Sequence, residues 1–181
     1  MKSLLLGCMV LATGCSPVSD TAPASSAKTG SRIPAAQQST VYPVTSRQQT
    51  PGVPFMTAGG ETVTLQQFAG QVVVLHLWAT WCKPCVHEMP LLDQFAAEVP
   101  SVGIVPISVD VRPEQAVTFF QQQLLQHLGA YHDPDGQLMR ELGAHVLPMS
   151  FVMDRQGRIA AVFKGSVDWN SESIRTLLSG I

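Results

Sequence analysis

Val72-Val73-Val74-Leu75-His76-Leu77 runs directly into Trp78-Ala79-Thr80-Trp81-Cys82-Lys83-Pro84-Cys85, and the reading of this junction decides the fold. A strand buried on both faces reads as near-continuous Val/Leu, and in an open α/β sheet a site lies beyond the carboxyl end of such a strand. The two cysteines fall there. If a helix begins at Cys82, the thiols stand at positions i and i+3 of its first turn, on one face and close enough to bridge in a small ring. The free N–H groups and positive dipole end of that turn stabilise a thiolate at the first cysteine and lower its pKa. Cys82 is therefore the expected nucleophile, and Cys85, one turn deeper, the thiol that resolves a mixed disulfide from within. Cys-x-x-Cys also suits half of a zinc knuckle. A structural zinc needs four ligands, and the domain has neither a third cysteine nor a His-x-His or His-x-x-x-His pair to complete one. The strand in front of the pair favours redox chemistry, with no metal expected.

Upstream, Met1-Lys2-Ser3 and the apolar residues 4–12 form a short positive region followed by a hydrophobic one. It is too short to span a bilayer as a permanent helix and reads as a secretory signal. Leu11-Ala12-Thr13-Gly14-Cys15 resembles the lipobox of bacterial lipoproteins, in which a cysteine is acylated and becomes the new N-terminus. Ala12 stands where that motif usually has Leu. Leu5-Leu6-Gly7-Cys8 fits locally but leaves almost no apolar region before the cut, so Cys15 is the expected lipidation site. The rival readings, ordinary cleavage or an uncleaved anchor, also put the domain outside the cytoplasm. Residues 16–51 are rich in Ser, Thr, Ala, Pro and Gln and lack apolar periodicity, so they read as a flexible tether. Its root-mean-square reach is on the order of 30 Å.

The folded domain is expected over residues 52–181, enough for one hydrophobic core. After an extended segment at 61–65 and the central strand, the nucleophile helix should run from Cys82 to about Val99, with Pro90 inside it. Residues 102–109 read as a second strand, and Pro113 opens a helix to about Leu128. That order implies a parallel βαβ unit. Asp133-Pro134-Asp135-Gly136 is a turn before a short helix stopped by Gly143. Residues 150–154 and 158–163 form a β-hairpin, and residues 171–178 a closing helix. The expected class is α/β, with a central mixed sheet, a C-terminal hairpin and flanking helices. A net charge of −2 and a pI near 6.2 give no footprint for nucleic acid.

Leu77 to Cys85, then Glu88 and Pro90, then Gly143 with Leu147-Pro148, together resemble the thioredoxin superfamily. More narrowly they resemble its exported, membrane-tethered TlpA/ResA/DsbE-like thiol-disulfide oxidoreductases. Asp154 to Ile159 and Gly165-Ser166-Val167-Asp168-Trp169 resemble that family's final hairpin and closing segment. The resemblance implies a thioredoxin fold and a periplasm-facing monomer that acts mainly as a reductant of protein disulfides, with no cofactor besides the Cys82/Cys85 redox pair. It implies regeneration by a membrane-embedded thiol reductant of the DsbD/CcdA type, and a place in cytochrome c or copper-site maturation.

By the same resemblance, Pro148 is the cis-proline facing the cysteines and Leu147 offers backbone groups to a bound peptide; the rival is a trans-proline at a strand entry. Glu88 matches an acidic residue of the active site, its pKa raised by partial burial; the rival is a surface glutamate in an ordinary ion pair. His76 departs from the pattern, since the family has Asp or Asn there. Neutral when buried, it is either an acceptor for the deeper thiol's proton or a hydrogen-bonded core histidine. Both Glu88 and His76 are expected to tune proton transfer rather than hold the fold. Trp78 is expected in the core, with Trp81, Lys83 and Pro84 on the docking surface. Two other classes use this fold. A copper chaperone usually spaces its cysteines by three residues, and a thiol peroxidase needs a hydroxyl where Ala79 stands.

Overall fold

The computed structural model describes residues 40–181. Within them lies one mixed sheet of eight strands: β1 (Thr40–Pro43), β2 (Phe55–Thr57), β3 (Thr62–Val63), β4 (Val72–Trp78), β5 (Val102–Ser108), β6 (Tyr131–His132), β7 (Met149–Met153) and β8 (Ile159–Lys164). Their spatial order is β1-β8-β7-β4-β5-β6-β2-β3. β4 pairs in parallel with β5 and antiparallel with β7, so the strand before the cysteines lies at the centre. Four α-helices flank the sheet: α1 (Lys83–Glu98), α2 (Pro113–Gln122), α3 (Gln137–Glu141) and α4 (Glu172–Ser179).

Every residue of β4 is buried, as a β-branched run covered on both faces requires. Period-2 alternation sorts its side chains into two cores. Val72, Val74 and Trp78 pack with Met89, Leu92 and Phe95 of α1, Phe119 and Phe120 of α2, and Ile174 and Leu178 of α4. Val73, Leu75 and Leu77 pack on the other face with Phe55, Leu138 and Phe151. Burying each such side chain contributes roughly 1.5–3 kcal/mol. The buried residues of α1, namely Cys85, Glu88, Met89, Leu92 and Phe95, recur at the three- and four-residue spacing of one helical face. That single face carries both a cysteine and a carboxylate into the apolar layer.

Two boundaries differ from the sequence reading. The signal, Cys8 and Cys15 lie outside the described residues, but the stretch read as tether up to residue 51 enters the fold at β1, which pairs antiparallel with β8. Gln48 accepts from the Ile159 N–H at 2.8 Å, and buried Thr50 donates to the Gly157 carbonyl through both its N–H (3.0 Å) and its hydroxyl (3.1 Å). Arg47 pairs with the fully buried Asp154 at 3.0 Å. Burial alone would raise the pKa of Asp154; hydrogen bonds from Arg158 and Arg47 outweigh it and hold the carboxyl low. Backbone pairing to a sheet edge needs no apolar periodicity, which is why composition missed this segment. The second difference is α2, which stops at Gln122 instead of near Leu128 because Leu124 takes a positive φ of 54°. Among the described residues no helix is long and apolar enough to cross a membrane.

Candidate active site

β4 delivers the chain to a turn, closed by the Cys82 N–H donating to the Ala79 carbonyl at 3.1 Å, and the turn delivers Cys82 to the N-cap of α1. Pro84 sits in the first helical turn, where its missing N–H costs nothing. Cys82 and Cys85 form a disulfide with Cα atoms 5.2 Å apart. The Cys85 N–H points at Cys82 Sγ, 3.4 Å away, so the helix N-terminus addresses the first sulfur. Cys82 is 6% exposed and Cys85 0%. Beside them Trp81 is 68% exposed. A mostly apolar cleft of about 400 Å³ opens against Cys82, lined also by Trp81, Pro84, Met139, Val146 and Leu147. The Leu147–Pro148 peptide is cis, and Pro148 is buried ahead of β7 while Lys83 projects outward.

Glu88 lies one turn beyond Cys85 and is 0% exposed, which removes the surface ion-pair reading. Its Oε1 accepts from the Trp169 indole N–H at 2.6 Å and the Val167 N–H at 3.1 Å. Oε2 has no partner of good geometry, although the Ser166 hydroxyl exerts a weak favourable pull. Burial pushes the pKa up to about 8 against these donors, so the group carries a proton through neutral pH. His76, fully buried on β4, is within 2.9 Å of Ser150 Oγ through Nδ1, and its Nε2 is unpartnered. Burial lowers its pKa to about 3, leaving a neutral imidazole. Trp169 stands between the two groups, edge-on to His76 at 6.4 Å between ring centroids and bonded to Glu88. Both groups are therefore part of the packed interior.

Two residues escaped sequence reasoning. Trp169 was visible only as part of a closing motif, and its bond to Glu88 spans 81 positions. Asp110, just beyond the residues read as the second strand, is fully buried and bonded to the turn before Cys82. Neither contact leaves a local pattern.

A sheet of this order, with a Cys-x-x-Cys disulfide ring at the start of the helix that follows its central strand, defines a thioredoxin-fold protein with a redox dithiol. The model of the AhpC/TSA family matches residues 47–162, and the chain belongs to that family. Within it the likeness is to ResA- and DsbE-type proteins. The thiol-disulfide oxidoreductase ResA of Bacillus thuringiensis subsp. konkukian is 32% identical over 107 residues, covering 59% of this chain and 62% of that relative, so the match spans less than two thirds of ResA's length. Among solved structures, a Chlorobium tepidum protein assigned as thiol:disulfide interchange protein DsbE superposes with a TM-score of 0.67 at 26% identity, covering 74% of this chain and 95% of the other. StoA of Bacillus subtilis gives 0.58 at 27% identity, covering 70% and 98%.

Proposed function

We propose that the protein is an exported thiol-disulfide oxidoreductase that acts mainly as a reductant of protein disulfides. The observation that carries this reading is the unequal placement of the two sulfurs, with Cys82 at the cleft beneath exposed Trp81 and Cys85 sealed behind it. In the reduced protein the Cys82 thiolate attacks one sulfur of a client disulfide. The client S–S bond breaks, a mixed disulfide forms, and the first client thiolate leaves and takes a proton. Cys85 then gives up its proton and attacks Cys82 Sγ. The Cys82–Cys85 bond re-forms and the second client thiol is released, so two electrons have passed to the client. Glu88 is the group suited to exchange a proton with Cys85: its ionised form, which grows in as pH approaches 8, takes the Cys85 proton, and the protonated carboxyl returns it on re-reduction. Trp81, Lys83 and Pro84 form the surface on which a client docks, and the backbone at Leu147-Pro148 lies opposite, as the family likeness implies.

Lipid attachment at Cys15 would hold the domain at the outer face of a membrane, where a membrane-embedded thiol reductant of the DsbD/CcdA type restores the dithiol. The clients are exported proteins, cytochrome c or copper-site precursors among them. Insulin or apocytochrome reduction by the reduced protein tests the activity, and Cys82→Ser should abolish it. Cys15→Ala should release the protein from membranes, and fatty acid on Cys8 or on neither cysteine would overturn the anchor. A thiol peroxidase reading is disfavoured because buried Ala79 offers no hydroxyl and the neighbouring Thr80 hydroxyl is committed to Asp110.

A further inference from the structure

Asp110 lies two residues past the end of β5 and is fully buried, and among the described residues it has no ion pair. Its carboxylate oxygens are aimed at one neighbour above all. Oδ1 accepts from the Thr80 hydroxyl at 2.8 Å and the Thr80 N–H at 3.2 Å; Oδ2 accepts from the same N–H at 3.1 Å. The Ser108 hydroxyl donates to Oδ2 at 2.7 Å, and the Asp110 N–H donates back to Ser108 Oγ at 3.0 Å. Buried His132 donates through Nε2 to the Asp110 carbonyl at 2.5 Å, fixing the main chain as well. Thr80 is the middle of the turn closed between Ala79 and Cys82, and the foot of that turn is tied to the same loop by the Val109 N–H on the Trp78 carbonyl at 3.0 Å.

An unpaired carboxylate in the interior carries a desolvation cost that neutral groups of the same shape would not. Here three of the four hydrogen bonds its oxygens accept come from the residue two places before the sulfur that meets the cleft. The geometry points to Asp110 as a positioning residue for the attacking thiol. Acting through Thr80, it fixes the angle at which Trp81 and Cys82 enter α1, so that Cys82 Sγ stays over the first N–H groups of the helix. Stabilisation by a helix terminus is confined to the first turn, so a turn released at Thr80 lets the sulfur swing away from the field that lowers its pKa. The inference rests on the reading of Cys82 as the attacking thiolate and adds a residue that never meets the client.

The test is the rate of iodoacetamide alkylation at Cys82, located by mass spectrometry, across pH 5 to 9 in the reduced full chain. Wild type is compared with Thr80→Val, Thr80→Ser, Asp110→Asn and the double variant Thr80→Val/Asp110→Asn. Positioning predicts that Thr80→Val and Asp110→Asn each move the profile to higher pH, with about a tenfold lower rate at pH 6, the equivalent of one pKa unit. Thr80→Ser should restore the wild-type profile, and the double variant should be no worse than Asp110→Asn alone. Lower melting temperatures with unchanged profiles would make Asp110 a structural residue only and overturn the proposal. So would faster alkylation in Asp110→Asn with Thr80→Val unchanged, which would mean that only its negative charge acts. If Asp110→Asn does not fold, Thr80→Val and Thr80→Ser still decide. Failure of the wild type to reduce insulin would defeat the oxidoreductase reading and leave the alkylation comparison intact.

Discussion

Replacing Glu88 with glutamine should make the oxidised protein more stable in mild alkali than the wild type, against the usual outcome of altering a fully buried polar residue. The sign follows from the proton. With its pKa raised from 4.5 to about 8 in the folded chain, Glu88 contributes stability that is complete below pH 4.5 and is lost as pH rises towards 8. Across that window the folded state holds a proton the unfolded state has given up, and each pH unit costs about a factor of ten in the folding equilibrium. His76 acts in the opposite sense. Its pKa is lowered from 6.5 to about 3, so its contribution is present above pH 6.5 and is lost as pH falls through that range towards 3.

Between pH 4.5 and 6.5 the two slopes cancel, which predicts a plateau in that interval, a decline on the acid side owed to His76 and, below about pH 4, to Asp154 as well, and one on the alkaline side owed to Glu88. From pH 6.5 to 8 the wild type should lose about 2 kcal/mol. Glutamine reproduces the protonated carboxyl, since its Oε1 still accepts from Trp169 and Val167 and it has no charge to develop. Guanidinium unfolding of the oxidised protein at half-unit pH steps measures this directly. Curves for Glu88→Gln and wild type that run parallel from pH 6.5 to 8.5 would show that Glu88 is already ionised in the fold, and the reasoning would be wrong.

Trp169→Phe removes the 2.6 Å donor to Glu88 while keeping a ring against Phe95 and Phe163, so the alkaline break in the stability curve should move above pH 8 at a cost of about 1–3 kcal/mol. A chain shortened to begin at residue 52 should be less stable than one beginning at residue 39 by about 2–4 kcal/mol, the worth of the β1 pairing and the Arg47–Asp154 contact; equal denaturant midpoints would return that segment to the tether. Equilibration of the Cys82/Cys85 pair against graded dithiothreitol should give a potential nearer thioredoxin's, about −270 mV, than DsbA's, about −120 mV, and a value at the oxidising end would make the protein a disulfide donor.

What the sequence disclosed was what local pattern can encode. The β4 run announced a doubly covered strand, the Pro and Cys spacing announced the start of α1, and the closing hairpin announced itself by two apolar segments about a short link. β1, β2 and β6 are two to four residues long, and their partners lie up to 124 positions away, as Thr40 opposite Lys164 shows. No periodicity can be read from so few residues, and strand identity there is conferred by the neighbour. The site divides the same way. Cys82 and Cys85 were visible from spacing, whereas the burial of Glu88 depends on Val167 and Trp169 closing over it, and the Asp110–Thr80 contact depends on β4 and β5 ending side by side.

The pKa directions also separate Glu88, read as an active-site acid, from His76, read either as an acceptor for the deeper thiol's proton or as a core histidine. An imidazole kept neutral by burial, its pKa lowered to about 3, is a poor acceptor for a thiol proton. A carboxyl raised by burial to about 8 is the better base of the two. This favours the proposal that Glu88 exchanges the proton, with His76 keeping the hydrogen bond to Ser150 and the edge contact on Trp169. His76→Asn, which keeps a polar side chain facing Ser150, should lower stability by about 1–3 kcal/mol through lost packing and a changed hydrogen bond. It should leave the pH profile of client reduction where it stands in the wild type. Glu88→Gln should flatten that profile between pH 7 and 9 and slow the second, Cys85-dependent step, seen as a mixed disulfide that persists on rapid acid quench. A His76→Asn profile displaced as far as that of Glu88→Gln would return the imidazole to the proton path.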